Sequence, residues 1–203
     1  MKVCRDLLLE TLKCLELMNR DLKYITHYEE LIWCKLVPML LKKLVKDIDE
    51  RIVANIAFDL KMLIESVVQA TYLLLKHKFN EVSIRSELSR RTKTAATFTA
   101  KMITELPNTP GPIKRQILNM YLKVSEYTHP TLKLLERAHL LLNTQSREDI
   151  EKEVIEITKG VIDIVMYLYL RLYRKQIPLI ALSIVNNLSY NYSLSRTFKY
   201  LSK

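Results

Sequence analysis

The sequence predicts an all-α fold, a helical bundle of about seven or eight helices, and three observations carry that prediction. The 203-residue chain holds only two glycines and six prolines, where average usage gives roughly a dozen of each. Turns that need positive φ must therefore be scarce. Apolar residues recur at spacings of three and four over long stretches, and no run alternates apolar with polar in the manner of a strand. Hydrophobic residues make up 49% against 27% charged, with a mean hydropathy near zero, which excludes a disordered chain. At this length about 70% of the unfolded surface can be buried. The expectation is one helical domain over 1–203, with 1–106 and 112–203 as the alternative halves.

Residues 2–19 place Cys4, Leu8, Leu12, Leu15 and Met18 on one stripe, an amphipathic helix. A second helix is expected from about Leu22 through Ile25, Tyr28 and Ile32 until Pro38 kinks or ends it, with Leu40–Asp47 continuing beyond. Residues 49–78 give the longest apolar helix of the first half. Ile52, Ile56, Leu60, Leu63, Val67, Ala70 and Leu74 form its stripe, widened by Val53, Ala57, Ile64 and Val68, so it belongs at the centre. Asn55, Asp59, Ser66 and Gln69 leave a narrow polar seam that lines a cleft or faces water. Leu106–Pro112, LPNTPGP, is the clearest break in the chain.

Helix resumes at Ile113 with Ile117, Met120 and Val124, breaks at His129-Pro130 and resumes to about Leu142. Ser146, with Asp149 three residues on, reads as an N-cap of the capping-box kind. From there Ile150, Val154, Ile157, Val161, Ile164 and Leu168 alternate spacings of four and three, a coiled-coil-like seam that predicts lengthwise packing on another helix and a homodimer through these six residues. Tyr167, Tyr169 and Tyr173 lie on the same helix, where rings either stack on bases or pack at an edge with wet hydroxyls. Pro178 opens the last helix, which ends in a polar, tyrosine-rich tail.

Thirty-two Lys and Arg against 22 Asp and Glu give a formal charge of +10. That implies attraction to polyanions or a generally basic surface. Cys4, Cys14 and Cys34 are odd in number and lack CxxC spacing, so they read as free thiols in a reducing, cytoplasmic setting. Arg5, Asp6, Glu10 and Lys13 break up the N-terminal apolar residues in a way no signal-peptide core tolerates. Residues 160–190 come nearest to a membrane span, but Asp163, Arg171, Arg174 and Lys175 interrupt them and Pro178 splits them, leaving far less than the roughly 18 apolar residues needed.

No glycine-rich phosphate loop, GxSxG, HExxH or CxxC is present, and His27, His77, His129 and His139 are not at ligand spacing. No metal or cofactor is expected. The most distinctive basic segment is Val82–Leu106. Arg85 lies near its start, and Arg90, Arg91, Lys93 and Lys101 follow between Glu87 and Glu105 with no intervening acid. Interleaved threonines suit phosphate positioning and base-edge contact. This segment resembles a helix-turn-helix: ELSRRT (87–92) as first helix, Lys93 to Ala95 as turn, ATFTAKMI (96–103) as recognition helix, and Leu88, Phe98 and Met102 as its small core. The resemblance implies contact with DNA.

The stretch YLKVSEYTHPTLKLL, Tyr121–Leu135, beside the long helix bearing FDLKMLIESVVQATYLLLK, resembles the HEPN-like and abortive-infection helical bundles of microbial defence. Ribonucleases of that kind carry an arginine, a polar residue after it, and a histidine a short distance on, acting at a dimer cleft. By that resemblance Arg20, followed by Asp21, and His27 are the implied catalytic pair. His129 precedes a proline and is expected to end a helix. The first functional expectation is a cytoplasmic, non-catalytic bundle that associates with DNA or RNA through Arg85, Arg90, Arg91, Lys93 and Lys101. The alternatives are an HEPN-like ribonuclease or toxin, and an assembly protein that works through the apolar seam.

Overall fold

Leucine, isoleucine, lysine and glutamate fill the stretches between the few prolines, and at these lengths they favour helix. The computed structural model describes residues 1–20, 22–94, 99–128 and 144–201, and among these all regular structure is helical. Helix α1, Lys2–Arg20, buries Cys4, Leu8, Leu12, Leu15 and Met18, the stripe that the spacing predicts. The second helix starts later than Leu22. Thr26 is its N-cap: the threonine hydroxyl accepts the Glu29 backbone N–H at 3.1 Å, and the Glu29 carboxylate accepts the Thr26 N–H at 2.7 Å. This capping box satisfies two otherwise unpaired donors reciprocally. Helix α2, His27–Glu30, runs into a π-helical segment, Leu31–Leu36, and then into α3, Val37–Asp49.

Pro38 explains the π segment. Its ring would clash with the carbonyl four residues back in an unbroken α-helix, and a widened turn ahead of it lets the helix continue. The Val37 N–H bonds the Ile32 carbonyl and Pro38 has no N–H to offer. The Trp33 carbonyl takes its donor from α1 instead: Asn19 Nδ2 reaches it at 2.9 Å. Asn19 Oδ1 in turn accepts the hydroxyl of Tyr24 and, at 2.6 Å, that of Tyr169. The Trp33 ring is fully buried, edge-on to Tyr169 with centroids 5.0 Å apart.

Helix α4, Val53–Lys76, packs on α3 and takes the central place its broad apolar face predicts. After it come α5, Glu81–Thr94, and α6, Thr99–Thr104; beyond the Leu106–Pro112 break comes α7, Gly111–Glu126. Helix α8, Thr144–Tyr173, a 3-10 turn at Arg174–Gln176, α9, Leu179–Tyr192, and α10, Ser195–Leu201, complete the order. Helices α1, α4 and α8 run parallel. The Met1 amino group lies 3.6 Å from Glu151 near the start of α8, while Tyr169 near its end reaches Asn19 near the end of α1. Ile56 and Leu60 of α4 share a small apolar cavity with Val154 and Ile157 of α8. Helix α7 runs antiparallel to both, with Tyr121 donating to Glu65 at 3.1 Å and Lys123 lying 3.6 Å from Glu153. One apolar cluster contains Leu41 and Val67 together with Ile117 and Val165, from both sides of the proline-rich break.

The coiled-coil-like seam is filled from within. Val154, Ile157, Val161, Ile164 and Leu168 are buried in the single chain and Ile150 is half-buried. Helix α8 packs lengthwise, as its spacing requires, but on the chain's own α4 and α1. This corrects the expectation of a dimer seam, because these side chains are not presented to a second copy. Tyr167, Tyr169 and Tyr173 are also buried, at 3%, 0% and 2% exposure, and the rings of Tyr169 and Tyr173 are enclosed by the protein. Helix α8 begins at Thr144, ahead of the expected cap Ser146, and α10 breaks a tail expected to continue the last helix. The helix expected up to Leu142 and the break at His129-Pro130 lie outside the described residues.

The shortage of glycine does not remove left-handed turns. Arg51, Lys78, Phe79, Asn108 and Ser193 have positive φ, and neither glycine does. Three of these turns close helices with a six-to-one bond: Ile52 N–H to Asp47 O at 3.0 Å, Phe79 N–H to Leu74 O at 2.9 Å, and Leu194 N–H to Ser189 O at 2.8 Å. Each is a Schellman-type stop.

Candidate functional site

Because α1, α4 and α8 are parallel, their C-terminal turns gather at one end of the bundle. Each carries a base there: Arg20, Lys76 and Arg171. These cations offset the partial negative charge of the helix ends. At this end a cleft of about 760 Å³ opens among the end of α4, the segment before α7, the start of α7, and helices α8 and α10. Among the described residues Arg171, Arg196 and Lys199 line it, and no aspartate or glutamate does.

Local chemistry fixes these side chains. The Arg171 guanidinium donates to the Thr109 hydroxyl and the Pro107 carbonyl, which ties the proline-rich segment to α8. Asp163, 3% exposed, accepts the backbone N–H groups of Arg196 and Thr197 at 3.0 and 2.9 Å and so caps α10 from α8. The same carboxylate accepts Arg196 Nη1 at 2.9 Å, and Gln116 on α7 accepts Arg196 Nε at 3.2 Å. Lys199 follows Arg196 by three residues and shares its face of α10; its side chain is exposed.

The basic segment expected to contact nucleic acid is arranged differently from a helix-turn-helix. Helix α5 includes Lys93 and Thr94, so the expected turn is helical up to that point. Ala95–Phe98 lie outside the described residues, and α6 buries Thr99, Met102 and Ile103. Three of the expected phosphate contacts are paired with carboxylates three or four residues away. Arg85 lies 2.6 Å from Glu81, Arg90 3.1 Å from Glu87, and Lys101 3.8 Å from Glu105. The hydrogen bond from Arg85 holds the Glu81 carboxyl below its ordinary range. The side chains of Arg91 and Lys93 lie outside the described residues. Arg20 and His27 are both exposed, and His27 Nδ1 sits 3.7 Å from Glu30. Neither lines the cleft.

Two buried carboxyl groups face each other between α3 and α4. Asp47 and Asp59 are 4% and 1% exposed, and Lys43 Nζ lies 2.6 Å from Asp59 Oδ1. Burial pushes the Asp59 carboxyl up; Lys43 opposes this, and the Asp47 carboxyl within hydrogen-bonding reach adds to it. Carboxyl pairs of this kind perform acid–base chemistry where substrate reaches them. This pair does not line the cleft and acts as an internal contact. The polar seam of α4 is thus divided: Asp59 is buried, Gln69 donates to Thr99 at 3.2 Å, and Asn55 faces water. Glu29, 1% exposed, accepts the Tyr173 hydroxyl at 2.9 Å. Burial pushes the Cys14 thiol up to about 12 and raises that of Cys4, away from thiolate reactivity. Among the described residues no group of three or more His, Cys, Asp or Glu is placed to hold a metal ion, and no helix is long and apolar enough to cross a membrane.

Fold and site together define an all-α bundle with a cationic cleft at one end. Comparison of the chain with protein-family models, with curated proteins and with solved structures gave no match. Sequence reading missed the three cleft cations. Arg171 stood out only as an interruption of an apolar run, and Arg196 and Lys199 sat in a tail without a motif.

Proposed function

We propose that the protein is a non-catalytic helical bundle that associates with nucleic acid at the cationic end where α1, α4 and α8 terminate. The observation that carries this reading is the cleft lined, among the described residues, by Arg171, Arg196 and Lys199 without a carboxylate. A concave site of one charge sign, walled by low-dielectric protein, focuses the field and draws in polyanions. The net charge of +10 adds long-range steering, to which the paired cations of α5 contribute. The described residues lining the cleft include no histidine, cysteine or carboxylate to move a proton, which favours binding over catalysis.

The test is binding of labelled single-stranded RNA and duplex DNA to the purified full chain at about 50 and 200 mM salt, where each phosphate contact steepens the salt dependence. Affinity should fall steeply between the two conditions. Lys199→Glu should weaken it, whereas Arg85→Glu should change it little. Absence of binding at the lower salt, or affinity indifferent to Lys199→Glu, would remove the reading.

A further inference from the structure

Phosphate attraction alone leaves half of the cleft without a purpose. Its cations come from α8 and α10, while α4 and the start of α7 contribute Leu75, Pro110, Pro112 and Ile113. Both prolines are exposed, and Leu75 and Ile113 are half-buried. A duplex presents sugar and phosphate outward and keeps its base faces stacked inside, so it has nothing apolar to lay against such a surface. Proteins that read duplexes push a convex helix or ribbon into a groove, whereas this site is concave. Its volume of about 760 Å³ falls within the span of clefts that enclose a small molecule. A free nucleotide or an unpaired base offers the matching combination of an apolar ring face and an anionic group.

The arginines divide the work. Arg171 is occupied with Pro107 and Thr109 and holds in place the segment that carries Pro110. Arg196 is braced by Asp163 through Nη1 and by Gln116 through Nε, with its side chain 15% exposed. Its Nη2 makes no hydrogen bond to the described residues. A guanidinium fixed on two sides with one edge remaining is preorganised for a phosphate oxygen.

We propose that the cleft binds one nucleotide unit, a base with its phosphate, supplied either as a free nucleotide or by an unpaired end of a strand. The ring packs on Leu75, Pro112 and Ile113, and the phosphate meets Arg196 and Lys199. This rests on the reading of the cleft as a phosphate site and adds the selection of unpaired over paired nucleic acid.

The experiment compares a labelled single-stranded RNA of twelve or so nucleotides with the same strand in a blunt duplex, using the full chain at about 200 mM salt, where the non-specific electrostatic part is suppressed. A nucleoside monophosphate serves as competitor. The single strand should bind on the order of tenfold more tightly, as one stacked base would give. Pro112→Asp should abolish that preference. It keeps the helix start, where an acidic residue is favoured, while placing a carboxylate in the cleft. Arg196→Lys should weaken strand binding while the helical circular dichroism is unchanged. Displacement of the strand by the monophosphate identifies the free nucleotide as a ligand; strand preference without displacement identifies the strand end. Equal binding of strand and duplex, unaltered by Pro112→Asp but weakened by Lys199→Glu, would overturn this inference and leave the polyanion reading standing. Binding to none of the probes would remove both.

Discussion

Asp59→Asn should stabilise the protein near neutral pH, and the gain should shrink in acid. In the wild type, Asp59 and Asp47 are both buried and share one lysine, whose ammonium is 2.6 Å from Asp59 and 4.0 Å from Asp47. Ionised together, they leave Asp47 Oδ2 and Asp59 Oδ2 buried with no donor. Burial above all, joined by the hydrogen bond to Asp47, raises the Asp59 carboxyl above its ordinary range. A carboxyl whose folded-state pKa lies above its unfolded value binds more protons in the folded state. Stability therefore falls as pH rises through the window between the ordinary aspartate value and the raised one, and the cost is present at neutral pH. Asparagine removes the titration and supplies an N–H to Asp47.

Meeting one buried charged acceptor contributes about 1–3 kcal/mol. Losing the bond to Lys43, whose side chain is 49% exposed, costs about 0–1 kcal/mol, as for other solvated pairs. The net gain is about 1–2 kcal/mol near pH 7.5, or about 2–8 °C in Tm for a chain of this size. Urea denaturation of both proteins at pH 7.5, 6 and 4.5 reads it directly. A difference that stays constant across that range, or an asparagine variant less stable at pH 7.5, would refute the argument from the raised Asp59 carboxyl.

Three further predictions test the packing. Asn19→Ala removes the donor to the Trp33 carbonyl and the acceptor for two tyrosine hydroxyls; with about 1–3 kcal/mol for each buried group left unmet and partial relaxation, a loss of about 3–5 kcal/mol is expected in chemical denaturation. Ser193→Gly relieves a left-handed residue at φ 58° and should stabilise by about 1 kcal/mol, since that conformation disfavours residues with a Cβ; Ser193→Val should destabilise in the same assay. Gly160→Ala adds a methyl that meets the side-chain end of Met120; the flexible thioether can yield, so the gain of about 1 kcal/mol from helix propensity should be largely cancelled and Tm should move little, whereas Gly160→Leu should lower it markedly.

Elements whose evidence is local were legible in the sequence. The stripe from Cys4 to Met18 and the stripe from Ile52 to Leu74 are set by helical spacing, and both are buried as that spacing requires except at Ile52, which is exposed at the N-cap of α4. The seam from Val154 to Leu168 was legible as a packing face, but spacing does not say whether the partner helix belongs to the same chain. Here α4 and α1 fill it. The stop at Ser193 and the restart at Ser195 were not legible, because the acceptor that caps α10 is Asp163, 33 positions away. The cleft escaped for the same reason: its lining comes from stretches scattered between Leu75 and Lys199. In contrast, the pairing that tempers the basic α5 was available in the sequence. Glu81 precedes Arg85 by four and Glu87 precedes Arg90 by three, spacings at which side chains on a helix meet.

Charge density along the chain is therefore a poor guide to where this protein presents its charge. Between Val82 and Leu106 the sequence is locally the more basic, yet Arg85 and Arg90 face carboxylates on their own helix and Lys101 faces Glu105 just past α6. At the other site the bases are sparse in sequence and brought together where the end of α8 meets α10. There Asp163, which accepts from Arg196, is buried and occupied in capping α10. Cations that complement helix ends are common and by themselves imply only stability. What separates Arg171, Arg196 and Lys199 from that background is the concave, partly apolar space they share. Substitutions within it should therefore divide: Lys199→Gln should alter ligand affinity with little change in folding, whereas Arg171→Gln should also release the Pro107–Thr109 segment and lower stability.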